Sequence, residues 1–121
     1  MEYLMLIYNA EGDWTKMTPA EQGALSQEYG HFTQEIIQKG KFVGGNQLKP
    51  IASATTVRVR DGKRVVTDGP FAETKEQLAG YYLVNANDLD EAIALAAKIP
   101  GARHGSIEVR PIVVREQAKP A

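Results

Sequence analysis

The sequence contains no cysteine at all. Disulfide bonds, thiolate catalysis, zinc ribbons and iron–sulfur clusters are therefore excluded, because each of them needs cysteine side chains. An excess of charge of one sign is also missing, since 14 basic residues and 15 acidic residues leave a formal net charge of -1. Nucleic acids and anionic membranes are bound mainly by strongly basic surfaces, so neither is expected as a partner.

Long hydrophobic runs are absent as well. The first residues pass directly into a short strand-like pattern, without the basic flank, apolar stretch and cleavage site of an export signal. No segment is long and apolar enough to span a membrane, and we expect a cytoplasmic protein. No phosphate-binding glycine loop occurs, and no cofactor is predicted. The 121 residues, of which 43% are hydrophobic, are sufficient for one domain with a core.

Start and stop signals along the chain predict two helices. Thr18-Pro19-Ala20-Glu21 combines an N-cap threonine, a proline at the first helical position and a capping-box glutamate, which predicts a helix over residues 19–39. Asp88 can cap a second helix, which Pro100-Gly101 would end. Hydrophobic patterns predict strands at residues 1–8, 41–45, 78–86 and 106–114.

A β-hairpin is predicted between the two helices. Residues 55–60 alternate valine and arginine before Asp61-Gly62, a dipeptide typical of two-residue hairpin turns. Such a turn would place Val57 opposite Val66 and Arg58 opposite a further valine, Val65.

This order of elements predicts an α+β fold, a ferredoxin-like sandwich with an extra β-hairpin. Two helices can cover only one side of the sheet. The strands at 1–8 and 78–86 nevertheless carry apolar residues on both faces. A second copy of the same sheet is the economical cover for the other face, so we expect a homodimer.

The segment TDGPFAETKEQLAGYYL at residues 67–83 resembles the signature of the DGPF group within the YCII-related proteins. Agreement at residues 3–8 (YLMLIY), 54–58 (ATTVR) and 108–111 (EVRP) extends the resemblance over nearly the whole chain. It implies a dimeric α/β barrel in which two ferredoxin-like sheets face one another. From the length of the chain and the position of its tail, we expect a single domain over residues 1–115, followed by a loose tail at 116–121.

The resemblance does not supply a reaction. Proteins similar to this one are bacterial, mostly without an assigned activity, and often encoded beside or fused to extracytoplasmic-function sigma factors, which implies a regulatory partner. The wider YCII group is thought to place a histidine and an aspartate in a cleft. Relatives in the superfamily range from isomerases to haem enzymes, and fold alone cannot choose among them.

The motif itself supplies the first candidate site. Asp68-Gly69-Pro70 has the composition of a turn, in which Asp68 would accept backbone N–H bonds and Gly69 would adopt a positive φ. Alternatively, Asp68 is a catalytic carboxylate, with Glu73 and Lys75 as neighbouring substrate-binding groups that would shift its pKa.

Helix one supplies a second candidate, because Glu28, His31 and Glu35 recur at helical spacing. This set could form an acid/base pair, with His31 as a catalytic residue, or it could be a solvated helix face. A di-metal site would need a second helix that bears ligands, so no metal is predicted.

The last strand and the strand before it supply the remaining candidates. Glu108 and Arg110 lie two residues apart and therefore share a face. Arg110 could bind a carboxylate or phosphate of a substrate, or the two could form an internal salt bridge. Tyr81 and Tyr82 are expected to be core and cavity residues in turn, with the hydroxyl of one of them reaching a polar partner, and Tyr82 is the substrate-binding candidate.

Two functions are consistent with these residues. One is a small enzyme that acts on a small organic molecule in a cleft between sheet and helices, with Asp68 as base or as an orienting group and Arg110 as anion anchor. The other is a non-catalytic module that binds a ligand or a protein and serves regulation linked to sigma factors.

Overall fold

The computed structural model describes residues 1–115, so the tail expected at 116–121 lies outside the described residues. Two helices, six strands and two short 3-10 segments follow one another in the predicted order. In chain order they are β1 (Glu2–Asn9), α1 (Pro19–Gln38), β2 (Phe42–Gln47), a 3-10 segment (Ile51–Ser53), β3 (Thr55–Arg60), β4 (Lys63–Asp68), β5 (Gln77–Asn85), α2 (Leu89–Ala97), a second 3-10 segment (Pro100–Arg103) and β6 (Ser106–Pro111).

Four strands form the main sheet in the order β2-β5-β1-β6, with every neighbouring pair antiparallel. The helices cover one face of this sheet, where Met5 of β1 and Val84 of β5 are completely buried together with Ile36 of α1. Ile99, just after α2, is buried in the same core. The predicted ferredoxin-like α+β class is therefore confirmed.

Capping residues set the start of both helices as predicted, whereas α2 ends at Ala97, before the predicted stop at Pro100-Gly101. The Thr18 side chain accepts from the Glu21 N–H, and the Glu21 carboxylate accepts from the Thr18 N–H at 3.0 Å, which completes the capping box. Asp88 caps α2 through the Glu91 N–H at 2.9 Å. Helix α1 ends one residue before the predicted Lys39, whose N–H caps the last turn.

The β3–β4 hairpin forms a sheet of its own. Its register pairs Val57 with Val66 and Arg58 with Val65, as predicted. Asp61 (φ 53°) and Gly62 (φ 74°) both adopt left-handed backbone, which is what a type I′ turn requires.

Two strand ends differ from the prediction by more than one residue. Strand β2 continues past Gly45 to Gln47, because Gln47 pairs with Gly80 of β5. Strand β6 ends at Pro111 instead of residue 114. Pro111 has no N–H to donate, and the last contact with β1 is the Ile112 N–H to the Glu2 carbonyl at 3.0 Å.

The face of the main sheet that the helices do not cover carries Leu4 and Leu6 of β1 opposite Leu83 and Tyr81 of β5. We call this the open face. All four of these side chains are half-buried. No helix of residues 1–115 packs on the open face, and none has the length and hydropathy needed to cross a bilayer. The homodimer that would cover this face stays a prediction.

Candidate functional site

A cavity of about 630 Å³ lies between α1, the β2–β5 side of the sheet and the loop that follows β1. We call it the α1 cavity. Its walls are mainly apolar and aromatic, formed by Ile7, Leu25, Tyr29, Phe42 and Tyr82. Leu25, Tyr29, Phe32 and Ile36 form one apolar stripe along α1, in which Leu25 and Tyr29 are only half-buried, whereas Phe32 and Ile36 are buried. The cavity therefore lies under the middle of the helix, where Leu25, Ser26, Tyr29 and Thr33 line it.

Tyr82 forms the deep wall of the cavity. Its ring makes edge-to-face contacts with Phe32 (centroids 5.2 Å apart) and with Phe42 (6.4 Å). The ring lies against β2 because residue 45 is glycine: a Cβ atom there would be 2.9 Å from the Tyr82 ring. The Tyr82 hydroxyl is 2.8 Å from Thr33 Oγ1. Burial raises the pKa of Tyr82, so the phenol is neutral at physiological pH.

Tyr29 is the second hydroxyl of the cavity. Its oxygen accepts a hydrogen bond from the Gly101 N–H at 3.1 Å, across 72 residues of sequence. A Cβ atom on residue 101 would lie 2.6 Å from this oxygen, so glycine is needed for the contact. Burial raises the pKa of Tyr29 above its usual value, and the phenol stays protonated.

Charged and exposed side chains belong to the loops that line the cavity. Glu11 and Lys49 are both exposed, and Trp14 is 41% exposed. The Glu11 carboxylate accepts from the Ile51 N–H at 2.9 Å, which joins the loop after β1 to the loop after β2. The cavity thus combines a neutral hydroxyl pair on its deep wall with charged groups on its loops.

Residues 1–116 match the family model of the YCII-related domain. The chain belongs to the YCII-related family. It is also 36% identical, over 116 residues, to an uncharacterized protein of Rhizobium meliloti (strain 1021), and the match covers 94% of each chain. The family predicted from the motif at residues 67–83 is confirmed, while assignment to the DGPF group stays a prediction.

The DGPF motif lies outside the α1 cavity of this YCII-related chain. Asp68 is exposed at the end of β4, opposite Thr55 of β3. Glu73 and Lys75 are exposed in the connection to β5. None of these three side chains lines the cavity. The expected positive φ at Gly69 is confirmed, with a value of 99°.

His31 lies in a separate, open groove between α1 and the end of α2. The two carboxylates beside it form salt bridges with basic side chains. Glu28 pairs with Arg103, and Glu35 pairs with Lys39 at 2.8 Å and with Lys98 at 3.1 Å. The two lysines hold the pKa of Glu35 below its usual value, chiefly through the hydrogen bond from Lys39. Within residues 1–115 no three metal-binding side chains of the histidine, cysteine or carboxylate type come together.

Glu108 and Arg110 share the open face, where they lie opposite Leu6 and Leu4 of β1. Arg110 Nε donates to Glu108 Oε2 at 2.7 Å, and a guanidinium nitrogen makes a second contact with the same oxygen. The pair is exposed and does not line the α1 cavity. Within one chain it forms the salt bridge that was the alternative to substrate binding.

Of the seven residues predicted for a site, Tyr82 alone lines the α1 cavity. Sequence reasoning missed Tyr29 and Thr33. Tyr29 belongs to the apolar stripe of α1, a pattern typical of core positions. Thr33 follows it by one helical turn, and this spacing is the only signal in the sequence that could have linked the two hydroxyls.

Proposed function

We propose that this YCII-related chain binds a small organic molecule in the α1 cavity. The observation that carries this proposal is the cavity itself. Its volume of about 630 Å³ lies within the range of roughly 300 to 1,000 Å³ typical of ligand sites. Its aromatic walls and few convergent hydroxyls also match the usual composition of such sites.

The geometry supports binding better than catalysis. The hydroxyls of Tyr29 and Tyr82 have raised pKa values, so neither is suited to remove a proton at neutral pH. Asp68 and His31, the two residues considered for catalytic roles, are both exposed and lie outside the cavity lining. Arg110, considered as an anion anchor, is engaged with Glu108. A ligand-binding module therefore has more support than an enzyme.

The regulatory link to a sigma factor rests on the resemblance to DGPF proteins alone. A module that binds a ligand without transforming it agrees with that link, because a regulator needs only a conformation that depends on ligand. We keep it as the biological setting of the proposed binding activity.

We also propose that the chain works as a homodimer through the open face. Leu4, Leu6, Tyr81 and Leu83 form an apolar surface that no helix of the described chain covers. The β3–β4 hairpin, which forms a separate sheet, carries a second exposed apolar surface of Val57, Val59 and Val66, which are 58%, 64% and 55% exposed. Val57 lies opposite Val66, and Val59 is two residues further along the same strand, so the three valines are on one side of the hairpin. Exposed apolar surfaces formed by several neighbouring side chains usually mark an interface.

A thermal-shift screen with a library of small metabolites tests the binding proposal. A ligand at 100 times its Kd stabilises the folded state by about 2.7 kcal/mol, which is readily measured as a rise in Tm. Ser26→Phe places a bulky ring in the lining of the cavity. Ala24→Phe places the same ring on the opposite side of α1, where it lines the His31 groove, and serves as the matched control.

Compounds that bind in the cavity should raise the Tm of the unmodified chain and of Ala24→Phe, but not that of Ser26→Phe. A screen without any stabilising compound would contradict the proposal. Compounds that stabilise Ser26→Phe equally would also contradict it, since they would bind elsewhere.

A further inference from the structure

The hydrogen bonds on the deep wall of the α1 cavity fix the direction of one hydroxyl. Thr33 Oγ1 is 2.8 Å from the Tyr29 carbonyl oxygen, which can only accept. A threonine hydroxyl has one proton, so that proton is donated to the carbonyl. The 2.8 Å contact between Thr33 and Tyr82 must then use the proton of Tyr82. The Tyr82 oxygen is left with lone pairs alone and can act only as an acceptor toward a ligand.

The Tyr29 hydroxyl has the opposite role. It accepts from the Gly101 N–H, and that nitrogen supplies the proton of the contact. Among the side-chain hydrogen bonds of residues 1–115, none uses the proton of Tyr29 itself. This hydroxyl is therefore able to donate to a ligand. On its deep wall the cavity therefore presents one donor and one acceptor, both on aromatic side chains.

Neither of these groups carries a charge. Burial keeps both phenols protonated, and the walls around them are apolar, from Ile7, Leu25 and Phe42. An anionic or cationic group placed on this wall would lose its hydration without meeting an opposite charge, at a large cost in free energy. Apart from the tyrosines, the ionisable side chains of the lining lie on the loops and just after the second 3-10 segment, at Glu11, Asp13, Lys49 and His104.

Building on the proposed binding function, we propose that the α1 cavity takes a neutral molecule with a planar ring and a polar head that both accepts and donates a hydrogen bond. Tyr29 donates to the acceptor of this head, and Tyr82 accepts from its donor. A carboxamide or a hydroxy-carbonyl group has this pattern. The ring packs between the aromatic side chains of the wall.

Three small probes of the same shape test this class of ligand. Benzamide has a neutral head with an acceptor and a donor, acetophenone has only the acceptor, and benzoate is the anion of matching size. Trp14 lines the cavity and is the single tryptophan of the chain, so its fluorescence reports binding directly. Molecules this small should bind with a Kd on the order of 1 mM.

Two conservative variants separate the roles of the hydroxyls. Tyr29→Phe removes the donor and should weaken benzamide and acetophenone alike, by up to about tenfold. Tyr82→Phe removes the acceptor and should weaken benzamide while leaving acetophenone unchanged. Tyr3→Phe is the matched control, because Tyr3 is a buried tyrosine of the same sheet that does not line the cavity.

A third variant guards against loss of folding in the tyrosine variants. Thr33→Val frees the proton of Tyr82, so Tyr82 becomes a donor. Acetophenone should then bind more tightly than to the unmodified chain.

The results distinguish the proposed ligand class from the proposed site. Benzamide bound more tightly than benzoate, with the crossed effects of the two phenylalanine variants, supports the inference. Benzoate bound more tightly than benzamide, with binding lost in Ser26→Phe, overturns the neutral class and leaves the cavity as the binding site. If none of the three probes changes the fluorescence of Trp14, the inference is overturned together with the support that the cavity gives to a binding function.

Discussion

Substitution of Gly69 by alanine should destabilise the protein through backbone strain alone. Gly69 has a φ of 99°, a region that residues with a Cβ atom rarely adopt. A Cβ atom built at this position meets no other atom within 4 Å, so no steric clash contributes. The backbone is also held in place on both sides: its N–H donates to the Ala54 carbonyl at 2.7 Å, and its carbonyl accepts from Thr56 Oγ1 at 2.8 Å.

The expected loss is about 1 to 3 kcal/mol in the free energy of unfolding. For a chain of this length, each kcal/mol changes Tm by about 4 °C, so the Tm should fall by about 4 to 12 °C. Gly69→Val should lose more, since a β-branched side chain tolerates positive φ least.

Gly23→Ala is the matched control. Gly23 lies in α1, and a Cβ atom built there also meets nothing within 4 Å. The same chemical change should stabilise the helix by about 0.5 to 1 kcal/mol, because glycine has more conformational freedom to lose. Denaturant and thermal unfolding of both variants, at one protein concentration, give the comparison. A Gly69→Ala protein as stable as the unmodified chain would refute the argument from φ.

Two further predictions concern the interface and the surface charges. Leu6→Glu or Leu83→Glu should dissociate the proposed dimer, because either change places a charge on the open face. Light scattering should then give one 13.3 kDa chain per particle instead of two. A single-chain mass for the unmodified protein would contradict the dimer. The pKa of Glu91 is lowered, chiefly by the hydrogen bond from Lys41 and also by Asn87. The charged form of Glu91 therefore stabilises the fold above pH 4.5, and this contribution is lost as the pH falls through the folded-state pKa. Glu91→Gln should therefore be less stable than the unmodified chain at pH 7, with the difference shrinking in acid, and an unfolding difference independent of pH would contradict this.

The parts of the fold that were predicted correctly depend on short stretches of sequence. The Thr18 capping box, the Asp88 cap and the Asp61-Gly62 turn each involve residues within a few positions of one another. The positive φ of Gly69 likewise follows from its place in an Asp-Gly-Pro turn. Interactions of this range can be recognised from residue types alone, because the partners are fixed by the chain itself.

The α1 cavity could not be predicted in the same way. Its hydrogen bonds join Thr33 to Tyr82 and Tyr29 to Gly101, across 49 and 72 residues. The helical stripe that contains Tyr29 indicates which side of α1 faces the sheet, but not how closely each turn approaches it. Asp68, Glu73 and Arg110 are charged, and charged side chains in a motif indicate a functional role. The hydroxyl-bearing residues that converge in the cavity are neutral, and in the sequence they resemble ordinary core residues.

The position of β1 in the sheet has a consequence for how the chain folds during synthesis. Both strands that pair with β1, namely β5 and β6, follow residue 76. Within residues 1–115 the single neighbour of β2 in the sheet is β5, so β2 also has no partner before that point. Until those strands have been made, the apolar stripe of α1 has no sheet on which to pack, and closing the long loops involved is slow. A nascent chain that ends before Gln77 can therefore form the local β3–β4 hairpin but no part of the main sheet.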